Sequence, residues 1–468
     1  MATVGLLSFS DGRDFAHATV LDDVLSSERA IRAALEASGH TVESGEDPVW
    51  SNEIAVRESR RLSAAGVDCV VFNLSVWAFP HFAMLAASEL RSPLILLSTL
   101  DPARPGLVAM LAVAGGLDQI GRRYARVWGD ISDESVRGDL ETRIAAAHAV
   151  SSLRGTTFGR IGGRPMGMYT ATAGTDTWLS KFGVDVEEID QFELVRRAEN
   201  ADAAEARRGR MWLEENCRAV HYDGELLTPE LLERQLRLYL GMTELIRDLR
   251  LDFTGIKGQP ELTTHFATAD VAEALLNDPY DWNGPKPSHV CATEADMDGA
   301  LTMQVLKSIS DTPVLFADVR HYHRELGIWD LCNSGQHATW LAGRSSDPAE
   351  NLAQVELFPA QFYFPAGGAS VFHVAAPGPF TFARLTHAEG AYRMHLLSGS
   401  AERFGEPEDL GLAEQTTRTW PHMFARLDPT PEAFLETYAS NHIHAVPGDR
   451  RAELRGVCEL LDMDCIEP

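Results

Sequence analysis

Two carboxylates and a pair of histidines carry the strongest chemical signal in the chain. Glu294 stands in "SHVCATEADMDGALTMQVL", after an apolar run that reads as a buried strand and where a helix begins, with Thr293 as a fitting cap. Asp318 stands at the end of the next such run, in "TPVLFADVRHYH", and follows Glu294 by 24 residues. One helix and one strand fill that spacing, which predicts both acids at the same edge of adjacent parallel strands. Converging carboxylates repel unless a cation or a shared proton compensates them. The pattern by itself leaves open two unrelated surface acids. "ASNHIHAVPGD" adds His442 and His444, which share a face if the segment is extended. A lone buried histidine is usually a satisfied core residue, whereas two of them between Asn441 and a Pro-Gly-Asp turn point towards a metal. Two carboxylates and one imidazole form a hard, oxygen-rich set that suits Mn²⁺ or Mg²⁺ better than Zn²⁺.

Two glycine-containing stretches look like phosphate loops and fail the test. "SFSDGRDFAH" ends the first strand with Asp11, Gly12, Arg13 and His17, but a single glycine makes a turn and no cradle. Asp11 remains available as a helix cap. "GRIGGRPMG" is out of register with G-x-G-x-x-G and lacks the Gly-Lys-Ser/Thr of a P-loop, so its glycines read as close packing.

These residues must be held by some scaffold, and the first third of the sequence alternates strand and helix patterns. Residues 4–9, 69–75 and 93–99 are apolar strand candidates, and 25–38 and 52–65 are helical. That alternation predicts a doubly wound α/β layer whose ligands sit beyond the carboxyl ends of the strands. A second α/β segment begins near Gly155, with long charged helical stretches over 198–216 and 229–248. After Trp329, short strands broken by Gly and Pro predict an antiparallel β domain, a small barrel, with a capped terminal helix beyond Asp449. The expected division is 1–152, 153–328 and 329–468.

At 468 residues the chain is too long for one core. A formal charge of −27 excludes a nucleic-acid surface and docking on anionic lipid. The most apolar stretch, 106–117, is too short to span a bilayer, and the N-terminus has no basic leader. Six scattered cysteines without a C-x-x-C pair read as reduced structural thiols, and the expected location is cytoplasmic.

The ordered stretches "VGLLSFSDGR", "NLSVW", "KGQPE", "ATEADMDGALTM", "LFADV", "TRTWPH" and "SNHIHAV" together resemble the L-fucose and L-arabinose isomerase-like family, in its shorter L-fucose isomerase-related branch. The resemblance implies two Rossmann-like domains followed by a β-barrel. It implies one Mn²⁺, or another divalent ion such as Mg²⁺ or Co²⁺, held by Glu294, Asp318 and His442. It also implies sugar contacts at Arg13, Trp77, Gln259, Trp420 and Asn441, with Arg13 and Trp77 serving the site of a neighbouring subunit in a hexamer or related homo-oligomer. The expected function is aldose–ketose isomerisation through a cis-ene-diol, with Glu294 and Asp318 moving the proton.

Two departures stand out. "RHYHRE" adds Arg320, His321, His323 and Arg324 after Asp318, and "CNSGQHATW" adds His337, where arabinose-type relatives place a further metal histidine. A surface charge cluster is one reading of these cations; the other is a substrate with an anionic tail. The candidate substrates are therefore a deoxyhexose, a pentose, or a hexose with a phosphate or sulfonate at carbon 6. The alternatives are a non-catalytic sugar-binding module, which has no need of two carboxylates on a metal, and a lyase or epimerase sharing the same intermediate.

Overall fold

The computed structural model describes residues 1–334 and 337–468, a mixed α/β chain in two compact units. The first unit is Met1–Arg154 with Ala452–Met463, and the second is Gly155–Arg451 with Asp464–Pro468.

In the first unit the strands Thr3–Ser8, Thr41–Ser44, Cys69–Asn73, Leu94–Ser98 and Tyr124–Trp128 form a parallel sheet, in the spatial order second, first, third, fourth, fifth. The central strands are buried on both faces, which is why they read as unbroken apolar runs. Val4, Leu6, Val71 and Ile95 pack with Ile31 and Leu35 of helix Asp14–Ala37 and with Leu140 and Ile144 of helix Glu134–Leu153. Leu7, Phe72 and Leu96 pack against the opposite layer, from Leu62, Phe82 and Val113. Helices on both faces make this sheet doubly wound, as the alternation predicts.

The second unit carries a four-stranded parallel sheet of Cys291–Thr293, Phe253–Ile256, Thr157–Ile161 and Asp185–Ile189, in that spatial order. It also carries a seven-stranded mixed sheet of Gly378–Ala388, His442–Pro447, Leu315–His323, Ile328–Cys332, His422–Leu427, Ala391–Glu402 and Asp464–Ile466. Gly378–Ala388 pairs with Ala391–Glu402 as well, so six antiparallel strands return on themselves. Leu315, Ala317, Ile443 and Ala445 of two neighbouring strands point into one apolar core. Strand alternation then turns Phe316, Asp318, His442 and His444 to the other face.

The adjacent-strand expectation for the two acids is corrected here. Glu294 follows a strand of the parallel sheet, while Asp318 lies inside a strand of the mixed sheet. The first part of the Asp318 strand, Leu315–Ala317, is buried on both sides, so its apolar run mimics a parallel strand. The helix Met297–Ser310 starts later than expected, and Asp296, not Thr293, caps it by accepting from Gly299 N at 2.9 Å.

Gly255 sets how closely the parallel sheet approaches the Glu294 turn. A Cβ there would lie 3.0 Å from Ala295 Cα and 3.1 Å from the Phe158 ring. Gly255→Val is expected to lower stability by about 1–3 kcal/mol through overpacking, measured as a drop in the denaturation midpoint.

Candidate functional site: a carboxylate–histidine cluster

Glu294 owes its position to a tight turn after the strand Cys291–Thr293. Glu294 and Ala295 adopt φ of +58° and +47°, a left-handed conformation that costs side-chain-bearing residues roughly 1–3 kcal/mol each. The turn is held because Ala295 N donates to Ile256 O at 2.9 Å and Asp296 N donates to Thr293 O at 3.2 Å. Asp318 and His442 face one another directly across an antiparallel pair. The His442 backbone is pinned by Tyr438, whose hydroxyl donates to its carbonyl at 2.6 Å.

The three side chains converge. His442 Nε2 lies 2.9 Å from Glu294 Oε2 and 3.5 Å from Asp318 Oδ1. On its other edge, His442 Nδ1 lies 2.6 Å from Asp296 Oδ2. Asp296 is fully buried and in turn receives Arg384 at 2.6 and 3.2 Å, a guanidinium that is itself 1% exposed. Asp318 accepts from Asn333 at 2.9 Å and from Asn441 at 3.3 Å.

Electrostatics follow from burial. Desolvation works against the charge on Asp296, but Arg384 and His442 outweigh it and hold the carboxyl far below its usual range. Burial also lowers His442, yet Asp296 and Glu294 overcome it and raise the imidazole to about 10. Burial pushes Asp318 up, and Glu294 adds to the rise against the pull of His442. The cluster thus demands positive charge at Nε2. Glu294 Oε2 and His442 Nε2 are buried with no partner except each other, so a cation that displaces the Nε2 proton gains a ligand atom from each. Asp296 fixes the tautomer that leaves Nε2 free, the usual arrangement behind a metal-bound histidine.

A second group with metal-compatible spacing is Asp330, Cys332 and His422, whose ligand atoms lie within 4.8 Å of one another. Its imidazole is already engaged at both nitrogens, by Asp330 at 2.7 Å and by the Thr417 carbonyl at 2.8 Å. Asp330 also accepts from Thr416 at 2.7 Å. Hydrogen bonds close this cluster, whereas the Glu294 cluster has ligand atoms to spare.

Gln259 lines a small cavity beside Glu294, with Asp270, Glu273 and Phe364. Trp420 is buried next to Phe364 and Tyr363, and Arg320 lies over its ring. Asn441 adjoins Asp318 directly. His337 is buried 5.8 Å from His373, where burial and His373 push it well below its ordinary value. Arg13 and Trp77 belong to the first unit. Asp11 is spent on Arg13 through a pair of bonds at 2.9 and 2.6 Å, and the helix after it begins without a side-chain cap. His17 bonds Ser10 and stacks on Trp50.

Sequence reasoning missed Asp296, Arg384 and Asn333. Two signals were present: an Asp three residues before a helical glycine, and an arginine inside the apolar strand "FTFARL".

Three domain families match this chain: L-fucose isomerase, first N-terminal domain, over residues 1–155; second N-terminal domain, over 240–311; and C-terminal domain, over 331–467. The chain belongs to the L-fucose isomerase family. It is 26% identical to the L-fucose isomerase of Haemophilus influenzae (strain PittEE), over 76% of this chain and 73% of that one. It is 28% identical to that of Escherichia coli (strain SMS-3-5 / SECEC), over 68% and 65%. It is 27% identical to that of Bacteroides fragilis (strain YCH46), over 72% and 69%. Family membership makes the protein an aldose–ketose isomerase, an intramolecular oxidoreductase, and disfavours a non-catalytic binding module. Among the described residues no helix is long and apolar enough to cross a membrane.

The buried ion pair is the part of the site most exposed to mutation. Arg384→Met leaves Asp296 buried beside His442 alone and is expected to cost about 3–5 kcal/mol of unfolding free energy, read by chemical denaturation. Adding Asp296→Leu should return part of that loss.

Proposed function

We propose that Glu294, Asp318 and His442 hold one divalent cation, Mn²⁺ foremost with Mg²⁺ or Co²⁺ as substitutes, and that the site interconverts an aldose and its 2-ketose. The supporting observation is the convergence of these three side chains, two of them with unspent buried ligand atoms, in a chain of this family. A bound divalent cation supplies polarisation of the sugar's carbonyl oxygen, worth several kcal/mol in order of magnitude.

The remaining work falls to the chain. Asn441, which bonds Asp318, Gln259, which shares a cavity with Glu294, and Trp420 would orient the sugar's hydroxyls and ring face. Asn333 and Asn441 hold the Asp318 carboxylate in place. Glu294 and Asp318 would take the proton from one of C1 and C2 and return it to the other, through a cis-ene-diol. Candidate substrates are a deoxyhexose, a pentose or a hexose bearing an anion at carbon 6.

The same reading divides the chain at 1–152, 153–328 and 329–468, the last domain forming a β-barrel that also takes in the strand Leu315–His323. The spans matched by the three domain families support that division. It places the protein in the cytoplasm as a homo-oligomer, a hexamer or related assembly, in which Arg13 and Trp77 complete a neighbour's site and His337 backs the substrate pocket. Arg13→Ala is then expected to raise KM more than it lowers kcat, checked by steady-state kinetics.

Glu294→Gln and Asp318→Asn are each expected to cut turnover about 10²–10⁴-fold while leaving the circular dichroism spectrum intact. In D₂O, wild-type product should carry deuterium at the reacting carbon. Full activity in either variant sinks the site assignment, and unlabelled product sinks the proton shuttle in favour of a direct hydride shift.

A further inference from the structure

We propose that this site takes an aldose carrying an anion at the end remote from its carbonyl, a phosphate, sulfonate or carboxylate, and that Arg320 binds that anion. The proposal rests on the isomerase reading above.

The structure disperses the cationic cluster that follows Asp318. His323 is buried, and burial pushes it below its ordinary value. His321 and Arg324 are exposed on the same stretch. Arg320 is exposed as well, but its guanidinium lies beside the site, over the Trp420 ring. It sits two residues beyond Asp318, at the point where the strand register shifts between Val319 and His321. Its guanidinium lies 5.7 Å from the centre of the Trp420 ring, and its charge draws down both Asp318 and Tyr363.

Arg320 is also unspent. Among the described residues no carboxylate lies within ion-pair distance of it, although the chain has 68 acidic residues to 41 basic ones. Arg57, Arg104, Arg197, Arg210 and Arg384 each hold such a partner. Among the described residues Arg324 and Arg393 are unpaired too, but Arg320 alone of the three lies over the Trp420 ring beside Asp318. Beside it the Trp420 indole N–H is a second unspent donor, buried and without a partner on a side chain only 6% exposed. Tyr363, 6.1 Å from Trp420 between ring centres, adds an exposed phenol to the same wall.

This wall connects to the acid cluster. Phe364 stacks on Trp420 at 6.5 Å and also lines the cavity that Glu294 and Gln259 share. A substrate with its carbonyl end at Glu294 and Asp318 therefore runs its tail along Trp420 towards Arg320. A methyl terminus would meet an arginine and an N–H with nothing to accept from them. An anionic terminus accepts from both, in a charge-assisted pair that arginine geometry favours. Local positive charge is also what an anionic substrate needs to approach a chain of net charge −27.

The test uses aldoses in matched sets of one configuration each, as the 6-deoxy sugar, the 6-phosphate, the 6-sulfonate and the uronate, with Mn²⁺ present. The wild type is expected to show higher kcat/KM for an anionic member than for the 6-deoxy member, and the three anionic arms say which anion it is. Arg320→Gln should lower the anionic-to-deoxy ratio about 10- to 100-fold, chiefly through KM, and Arg320→Lys should restore part of it. Preference for the 6-deoxy member in every set, or an unchanged ratio in Arg320→Gln, overturns the proposal while the isomerase reading stands. Turnover of no member of any set overturns both.

Discussion

Three carboxylates, those of Glu294, Asp296 and Asp318, crowd around one buried imidazole, and the surrounding structure is arranged to make that tolerable. Low local polarity magnifies both the repulsion among the acids and their pull on any cation. Arg384 neutralises Asp296 from behind, so the positive charge the cluster still lacks is called for on the opposite side, between Glu294 and Asp318. Asp296 therefore does three jobs at once: it caps a helix, anchors a buried arginine and fixes the orientation of His442. Removing any partner leaves a charge stranded in the core.

The geometry is delivered by two sheets with different rules. The antiparallel ladder fixes Asp318 opposite His442, and a one-residue slip would turn both into the apolar core. Glu294 arrives from the parallel sheet on a turn whose two left-handed residues carry strain that the hydrogen bonds of Ala295 and Asp296 offset. Strain of this kind collects where a side chain must be aimed, and here it aims a buried Glu294 carboxylate oxygen that lacks a hydrogen-bond donor.

Much of this was legible in the residues. The doubly wound first unit follows from strands whose apolar runs reflect burial on both faces. The 24-residue spacing of Glu294 and Asp318 pointed to convergence, and the histidine pair and the family resemblance added His442. The route to convergence was not legible, because the run 314–317 is apolar for a different reason: one face meets the mixed-sheet core and the other packs Phe316 against His442 and His444. A period-two signal disappears when both faces are buried, so a strand of one sheet passed for a strand of another. Asp296 and Arg384 went unrecognised because their significance lies in a contact across 88 residues of sequence. The four cations after Asp318 read as one cluster, and the shift in register after Val319 separates Arg320 from the rest.

The central claim is that the cluster is a cation site completed by His442 Nε2. Titration of the metal-stripped protein with Mn²⁺, followed by electron paramagnetic resonance of the free ion, tests it without reference to any sugar. The account predicts one tightly bound Mn²⁺ per chain in the wild type, and a loss of that binding in His442→Leu with the fold preserved by circular dichroism. Equal Mn²⁺ binding by the wild type and His442→Leu, or none by either, would contradict it.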